Sequence, residues 1–313
     1  MCFDAPVVAG GYRWWYLDAL SDDQRYGLAI IALVGSVFSP YYARARQRGS
    51  APAESFCALN AVLYGPRSKH WAMTERGARD LLRAQHRLLI GPSSVRWESG
   101  ALVVDVDEIT VPWPGRLRGQ VRLHPQCTQD ECFALDAQGM HHWWPIAPIA
   151  RVEVRMAQPD LSWQGHGYLD SNWGEVPLEQ SFTSWDWSRA HMPDGSAVLL
   201  YEPRETNAAR RLLARRFYPD GSSYNLSMMP EAGLPATRIW RIARCTRADH
   251  GSRPAVTRTL EDTPFYARSL LSTRLLGEPA LAVHESLSLE RFSRSWVRGL
   301  LPFRMPRRAR PHR

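Results

Sequence analysis

The amino-acid sequence predicts an all-β protein built as two tandem β-barrel-like domains with few short helices. Three observations lead there. Short runs of β-branched, aromatic and alternating residues recur along nearly the whole chain, separated by Gly, Pro, Asn and Asp punctuation. The tripeptide Tyr16-Leu17-Asp18 returns as Tyr168-Leu169-Asp170, an echo expected of two copies of one domain. Between the copies, Pro145 to Pro148 reads as a linker. The expected division is therefore residues 1–145, residues 146–290 and a basic amphipathic tail at 291–313, and 313 residues are enough for two ordinary cores.

Taken in order, residues 1–9 read as a loose lead-in. Tyr12 to Leu20 and Arg25 to Phe38, joined by polar Ser21 to Gln24, have the pattern of a hairpin. Within it Leu28 to Phe38 is the most apolar stretch, too short for a membrane-spanning helix and suited to a buried strand. Pro40 to Gly49 is polar and Arg-rich, which predicts a short helix or a loop. Phe56 to Tyr64 is a strand broken by Gly65 and Pro66. Arg79 to His86 fits a helical turn or a strand edge. Val95 to Trp97 and Ala101 to Val106 flank a turn at Glu98 to Gly100, and Val111 to Pro114 and Leu117 to Leu123 continue the series. Beyond the linker, Ala150 to Ala157 alternates Val152 and Val154 with Arg151, Glu153 and Arg155. Strands are expected next at Gly167 to Leu169, Phe182 to Ser188, Ala197 to Tyr201, Arg216 to Tyr218 and Ser223 to Met228. Thr237 to Ile242, Ala255 to Asp262 and Leu281 to Leu289 complete the set.

Composition narrows the function classes. The formal charge is +8, with Arg dense from Arg204 to Arg258 and again from Arg291 to Arg313. A basic balance suits nucleic acid, an anionic membrane or plain solubility. There is no zinc-finger spacing, no RNP-like aromatic signature and no basic heptad, so no nucleic-acid partner is expected. The five cysteines are odd in number and irregularly spaced, which argues against a disulfide framework and for a reducing compartment. Cys127 and Cys132, with His124, His141 and His142 nearby, match no strong zinc pattern, and no metal is expected. No targeting segment is expected either, because no basic region precedes an apolar run at the start. Thirteen Trp is high, and they cluster at Trp14-Trp15, Trp143-Trp144 and near Trp185 and Trp187. Such clusters serve equally as core or as the wall of a long apolar pocket.

The stretch from His141 to Trp173 concentrates the chemistry. Strand parity puts His141 and Trp143 on one face, and His166, Tyr168 and Asp170 on another. A carboxyl thus sits among aromatic and imidazole groups, a setting suited to an acid that keeps its proton. No nucleotide, metal or covalent-nucleophile motif accompanies it, which leaves proton transfer.

Several stretches together resemble the carotenoid 1,2-hydratases, also called hydroxyneurosporene synthases. They are Gly11-Tyr12-Arg13-Trp14-Trp15-Tyr16-Leu17-Asp18, Leu63-Tyr64-Gly65, Trp71-Ala72-Met73-Thr74-Glu75-Arg76, His141-His142-Trp143-Trp144-Pro145 and Gly167-Tyr168-Leu169-Asp170-Ser171-Asn172-Trp173-Gly174, then Trp296-Val297-Arg298 and Leu301-Pro302-Phe303-Arg304. The resemblance implies a tandem lipocalin-like fold and a cofactor-independent lyase. Such enzymes add water across the terminal C1,C2 double bond of acyclic carotenoids such as neurosporene and lycopene, on the way to spheroidene-type or spirilloxanthin-type pigments.

Residue roles follow from the chemistry such a reaction needs. An isolated alkene is a very weak base, so a neutral carboxylic acid must protonate C2 and leave the charge on tertiary C1. Asp170 is the expected acid, with Tyr168 orienting its carboxyl. Trp143 is expected to face the cation through its ring. His141 is expected to position the attacking water and take its proton. Trp144, His166 and Trp173 are expected to bind substrate. Asp18 is the rival acid and His166 the rival base, while Tyr168 and Trp143 also suit plain core and Asp170 a turn. The tail interleaves Trp296, Leu300, Leu301, Phe303 and Met305 with Arg294, Arg298, Arg304, Arg307, Arg308 and Arg310. That composition suits docking on anionic lipid as well as it suits a solvated tail. The expected location is cytoplasmic, peripheral on the inner or photosynthetic membrane. Two other readings stay open: a lipocalin-like carotenoid or lipid carrier without chemistry, and a carbohydrate-active protein, for which Glu175 and Asp186 are weak second carboxyls.

Overall fold

A computed structural model describes residues 2–49, 51–206 and 211–308; Arg310 of the expected tail lies outside them. Two compact units divide the chain: the first runs through Ala134, resumes at Met140–Pro177 and includes the chain from Arg298, and the second comprises Leu135–Gly139 and Leu178–Val297.

The first unit is one large antiparallel sheet. Its strands are β1 (Tyr12–Ser21), β2 (Gly27–Val34), β3 (Cys57–Tyr64), β4 (Lys69–Arg76), β5 (Leu81–Ala84), β6 (Arg87–Ile90), β7 (Ser93–Glu98), β8 (Ala101–Ile109), β9 (Arg116–Pro125), β10 (Phe133–Ala134), β11 (His141–Gln158) and β12 (Asp160–Gly174). Pairing runs β4-β3-β2-β1-β12-β11-β9-β8-β7-β6-β5, with β10 on β11. The sheet curls until β4 packs against β8 and β9, and β3 against β6. Its concave side holds a single core of residues such as Trp15, Leu17, Ile30, Leu59, Val104, Val152 and Leu169. This closed, lipocalin-like curl is the usual way a long antiparallel sheet buries one face. The polar stretch after Ser39 is a helix, α1 (Pro40–Gln47): Pro40 suits its first turn, and Ser39 Oγ accepts from the backbone N–H of Tyr41 and Tyr42 at 3.1 and 3.0 Å.

The structure corrects two expectations here. Pro145 to Pro148 is no linker, since β11 runs straight through it. Register shifts fall between Trp144 and Ala147 and between Ala147 and Ala150. Proline lacks a ladder N–H, so a bulge is where a long strand tolerates it. The compact units accordingly part at Pro177, not after residue 145. The tripeptide echo is likewise no domain repeat: β1 and β12 are neighbours in one sheet, with Tyr16 opposite Asp170, Leu17 opposite Leu169 and Asp18 opposite Tyr168.

The second unit contains α2 (Leu178–Ser181), β13 (Phe182–His191), β14 (Ala197–Glu205), β15 (Leu213–Phe217), β16 (Ser223–Asn225), β17 (Glu231–Leu234), β18 (Arg244–Arg247), β19 (Ala255–Asp262), β20 (Tyr266–Leu275), β21 (Glu278–Ser288), α3 (Leu289–Phe292) and the first half of α4 (Ser295–Leu300). Its sheet order is β16-β15-β14-β13-β21-β20-β19, and the β17–β18 hairpin packs against β13 and β21. Val198, Leu200, Leu271 and Ala282 belong to its apolar core. A buried polar group also forms: Asp186 is ion-paired to Arg204 at 2.8 Å and accepts from Ser286 Oγ at 2.5 Å, and His284 Nε2 lies 3.1 Å from the same Ser286 oxygen.

After α4 a final short strand, β22 (Arg307–Arg308), returns to the first unit and pairs parallel with β4. The expected amphipathic tail is thus partly built into the fold, with Leu301 and Met305 buried and Arg307 bonded to buried Glu75.

Burial pushes the His284 imidazole down to about 3, and Arg244 adds to the effect. The folded state keeps this ring neutral at pH values where the unfolded chain, titrating near 6.5, binds a proton. Stability from this group is complete above 6.5 and is lost as pH falls, at most by about 1.4 kcal/mol per pH unit. His284→Gln is expected to flatten the pH dependence of denaturant unfolding below pH 6.5; parallel profiles for the two proteins would contradict it.

Candidate active site

Directly opposed residues of antiparallel strands project to the same face. Opposite β1, Asp170 meets Tyr16 and Asn172 meets Trp14; opposite β11, Gly174 meets His141 and Asn172 meets Trp143. Asp170, Tyr168, His141 and Trp143 therefore share one face, although parity along each strand predicted two. The register between β11 and β12 made the difference. This face is opposite the one that carries Trp15, Leu17 and Leu169 into the core, and all four side chains are nevertheless buried.

Asp170 is held from three sides. Tyr168 donates its hydroxyl to Asp170 Oδ2 at 2.8 Å, Trp143 Nε1–H reaches the same oxygen at 3.1 Å and the Tyr168 oxygen at 3.0 Å, and Asn172 donates to Oδ1 at 3.2 Å. Phe133 packs on the Trp143 ring with centroids 5.5 Å apart, and Tyr16 meets Tyr168 edge-on at 6.1 Å. Both contacts limit how far the aromatic groups can swing.

His141 forms a second cluster on this face. Its Nδ1 is 2.8 Å from the Tyr12 hydroxyl, and Tyr12 stacks on Trp14 at 4.8 Å. Gly174 makes this approach feasible: a Cβ there would lie 2.5 Å from His141 Nδ1 and 2.6 Å from the Tyr12 ring. From Asp170 to Gly174, which lies opposite His141, is four residues, or about 13 Å along the strand. Trp143 and Asn172 occupy the interval. The Asn172 carbonyl oxygen Oδ1 is buried and accepts no hydrogen bond among the described residues.

The remaining expected residues are placed elsewhere. Trp144 projects to the core side, where its Nε1 donates to the Gln129 carbonyl at 2.6 Å. Trp173 also faces away from Asp170, between His142 at 5.0 Å and the Arg13 guanidinium at 4.7 Å. His166 shares the parity of Asp170 but lies toward the far end of β12, half-exposed and 3.7 Å from Asp22. Asp18 does belong to the site face, fully buried opposite Tyr168. Tyr12, Tyr16 and Asn172 were missed. Their signal was parity: Tyr12, Trp14, Tyr16 and Asp18 alternate strictly, and Asn172 is two residues from Asp170.

The same face continues away from Asp170 across β1 to β4. Tyr16, Ile31, Asn60 and Met73 lie opposite one another in turn, and beside them Asp18, Ala29, Val62 and Trp71 do the same. Five strands at their usual spacing make this row about 19 Å long. It is largely apolar. Glu75 stands at its β4 end, its carboxyl pushed up to about 7 by burial against the opposing pull of Arg307.

Among the described residues no three His, Cys, Asp or Glu side chains gather as a metal site, and no helix is long and apolar enough to cross a membrane.

Comparison with known proteins gives the family and the fold. Residues 30–313 match the family model described as carotenoid hydratase CrtC. The chain is 54% identical over 305 residues to the acyclic carotenoid 1,2-hydratase of Thiocapsa roseopersicina, covering 97% of this chain and 75% of that one. It is 48% identical over 309 residues to the enzyme of that name from Rubrivivax gelatinosus, covering 98% and 76%. Among solved structures, an AttH protein of Nitrosomonas europaea superimposes with a TM-score of 0.61 at 12% identity, over 89% of this chain and 92% of that one. Kievitone hydratase of Nectria haematococca does so at 0.55 and 11% identity, over 91% and 94%. At those identities the two structures speak for the lipocalin-like fold alone.

Proposed function

The chain belongs to the carotenoid hydratase CrtC family, and we propose on that premise that Asp170 protonates the terminal double bond of an acyclic carotenoid so that water adds to it. The chain is a hydro-lyase of carotenoid biosynthesis. The finer reading concerns which bond reacts and which residues act.

Asp170, carrying its acid proton, delivers it to C2 of the C1,C2 double bond; the π pair forms the new C–H bond and leaves the positive charge on tertiary C1. Trp143 lies beside that carbon, and its ring stabilises the cation by about 0.5 to 2 kcal/mol. Water adds its oxygen to C1 and gives up one proton to His141, directly or through one further water. Asn172 Oδ1, buried between the two groups with no donor among the described residues, accepts a hydrogen bond from the attacking water. The product is the 1-hydroxy carotenoid, and the proton gained by His141 equals the one lost by Asp170, so the site resets by exchange with solvent.

The observation that carries this reading is the Tyr168–Trp143–Asp170 cluster: a buried carboxyl aimed and held by two aromatic donors on a face that continues as an apolar row. Neurosporene or lycopene would lie along that row. The protein is proposed to work at the surface of an anionic membrane, where its substrate resides. Incubating the purified protein with detergent-dispersed lycopene tests the reading. Appearance of the 1-hydroxy product is expected; tight carotenoid binding without product would favour a carrier instead.

A further inference from the structure

Trp71, at the β4 end of the apolar row, is where two exposed segments of the first unit meet. The loop between β8 and β9 joins it through the Val111 N–H, which donates to the Trp71 carbonyl at 2.9 Å. This loop is tied off by Thr110, whose Oγ1 donates to the Trp113 carbonyl at 2.7 Å and whose N–H donates to the Gly115 carbonyl at 3.0 Å. Trp113 is left at the tip, 84% exposed. The second segment is the C-terminal stretch that leads into β22. Arg304 lies over the Trp71 ring at 4.4 Å, and Arg307 stands opposite Glu75 in a parallel pairing. Phe303, upstream of both, therefore lies toward the β3–β4 turn, and it is 77% exposed.

One exposed aromatic side chain needs no explanation. Two on segments that both touch Trp71, in surroundings where cations outnumber carboxylates, do. The β3–β4 turn with the start of β4 (66–71), the β8–β9 loop with the start of β9 (110–118) and the C-terminal segment (298–308) together contain eight Lys or Arg residues and no Asp or Glu, and of these Arg116 is paired to Asp107 and Arg307 to Glu75. Trp and Phe settle at the boundary between lipid headgroups and acyl chains, and clustered cations are drawn to an anionic leaflet. A bilayer matches both properties of this surface at once, whereas a soluble protein partner would have to supply an apolar and an acidic patch side by side.

We propose that Trp113 and Phe303, ringed by these cations, form the surface on which the first unit docks to an anionic bilayer. Docking there sets the Trp71 end of the apolar row against the lipid, so a carotenoid leaving the membrane meets the row end-on with Asp170 at its far end. This direction of loading rests on the function proposed above; the docking itself does not.

Co-sedimentation of the full chain with vesicles tests it. Vesicles of phosphatidylcholine with phosphatidylglycerol are expected to bind the protein, phosphatidylcholine alone to bind it far less, and raised salt to weaken the binding. Trp113→Ser with Phe303→Ser is expected to weaken binding to the anionic vesicles by about tenfold or more. Met228→Ser, at an exposed site in the second unit, is expected to leave it unchanged. Melting temperatures matching the parent's establish that each variant is folded, and Trp113→Ser alone, at a loop tip, provides a gentler version of the same measurement. Equal binding by the double variant, or equal binding to both vesicle types, would overturn the proposal. So would vesicle binding that is absent while the parent self-associates through these two residues. Hydration of detergent-dispersed lycopene by the parent protein is scored separately: activity without vesicle binding rejects the docking surface alone, and vesicle binding without activity rejects the proposed function alone.

Discussion

Asp170→Asn is expected to lower hydration of an acyclic carotenoid by about 10²- to 10⁴-fold, the range typical for removal of a positioned general acid. Asn fills nearly the same volume and keeps an oxygen that can accept from Tyr168 and Trp143, so the hydrogen-bonded cluster persists. What is lost is the proton. The alkene has no other way to become a cation, because its π bond is too weakly basic to draw a proton from water at neutral pH. Product formation from lycopene, measured by chromatography alongside carotenoid binding, checks this. Retained binding with lost product is the expected pattern. Full hydration by Asp170→Asn would sink Asp170 as the acid and turn attention to Asp18, buried opposite Tyr168 on the same face.

His141→Gln is expected to cost about 10²-fold or more in product, with a different signature. The acid is still present, so the cation still forms; without a base to take the water's proton, C1 is captured slowly and the Asp170 carboxylate takes a proton back from C2. In heavy water this return leaves deuterium at C2 of the recovered substrate. Deuterium exchange without hydration is therefore expected for His141→Gln, and neither exchange nor hydration for Asp170→Asn. A His141→Gln protein that hydrates normally would show that Tyr12 and Gly174 shape a merely structural imidazole. His166→Gln serves as the comparison, since His166 lies half-exposed beside Asp22 and is expected to leave the rate nearly unchanged.

These two substitutions are expected to separate the halves of the proposed reaction because the two residues stand apart in space. About 13 Å of strand lies between the levels of the two residues. Trp143 and Asn172 fill that interval, the first proposed to offer a ring to the cation and the second, through its unsatisfied Oδ1, an acceptor to water. Tyr12→Phe would probe the support behind His141 in the same way that Tyr168 supports Asp170.

Much of this was legible in the sequence. The all-β class followed from strand-length apolar runs and their punctuation, and the residues now proposed as the acid, its tyrosine and the indole came from the stretch His141 to Trp173. Parity within one strand is a local property set by the backbone, so Tyr168 with Asp170, and His141 with Trp143, were readable without coordinates. The family resemblance rested on the same local words.

Relations between strands were decided by the tertiary structure. Whether Trp143 meets Asn172 or its neighbour depends on pairing and register, and a slip of one residue would have sent it to the core with Trp144. The tripeptide echo misled for that reason: two similar words proved to be partners across one ladder rather than counterparts in two domains. Pro145 misled because a proline that ends an ordinary strand can sit in a bulge when a long ladder continues on both sides. The tail, whose composition suited lipid docking and a solvated segment equally, is partly claimed by the edge strand β4 and a buried carboxyl more than two hundred residues away. Local chemistry sufficed to name the groups proposed to act, and non-local pairing determined which of them share a face, how far apart they stand and which aromatic residues remain exposed at the surface.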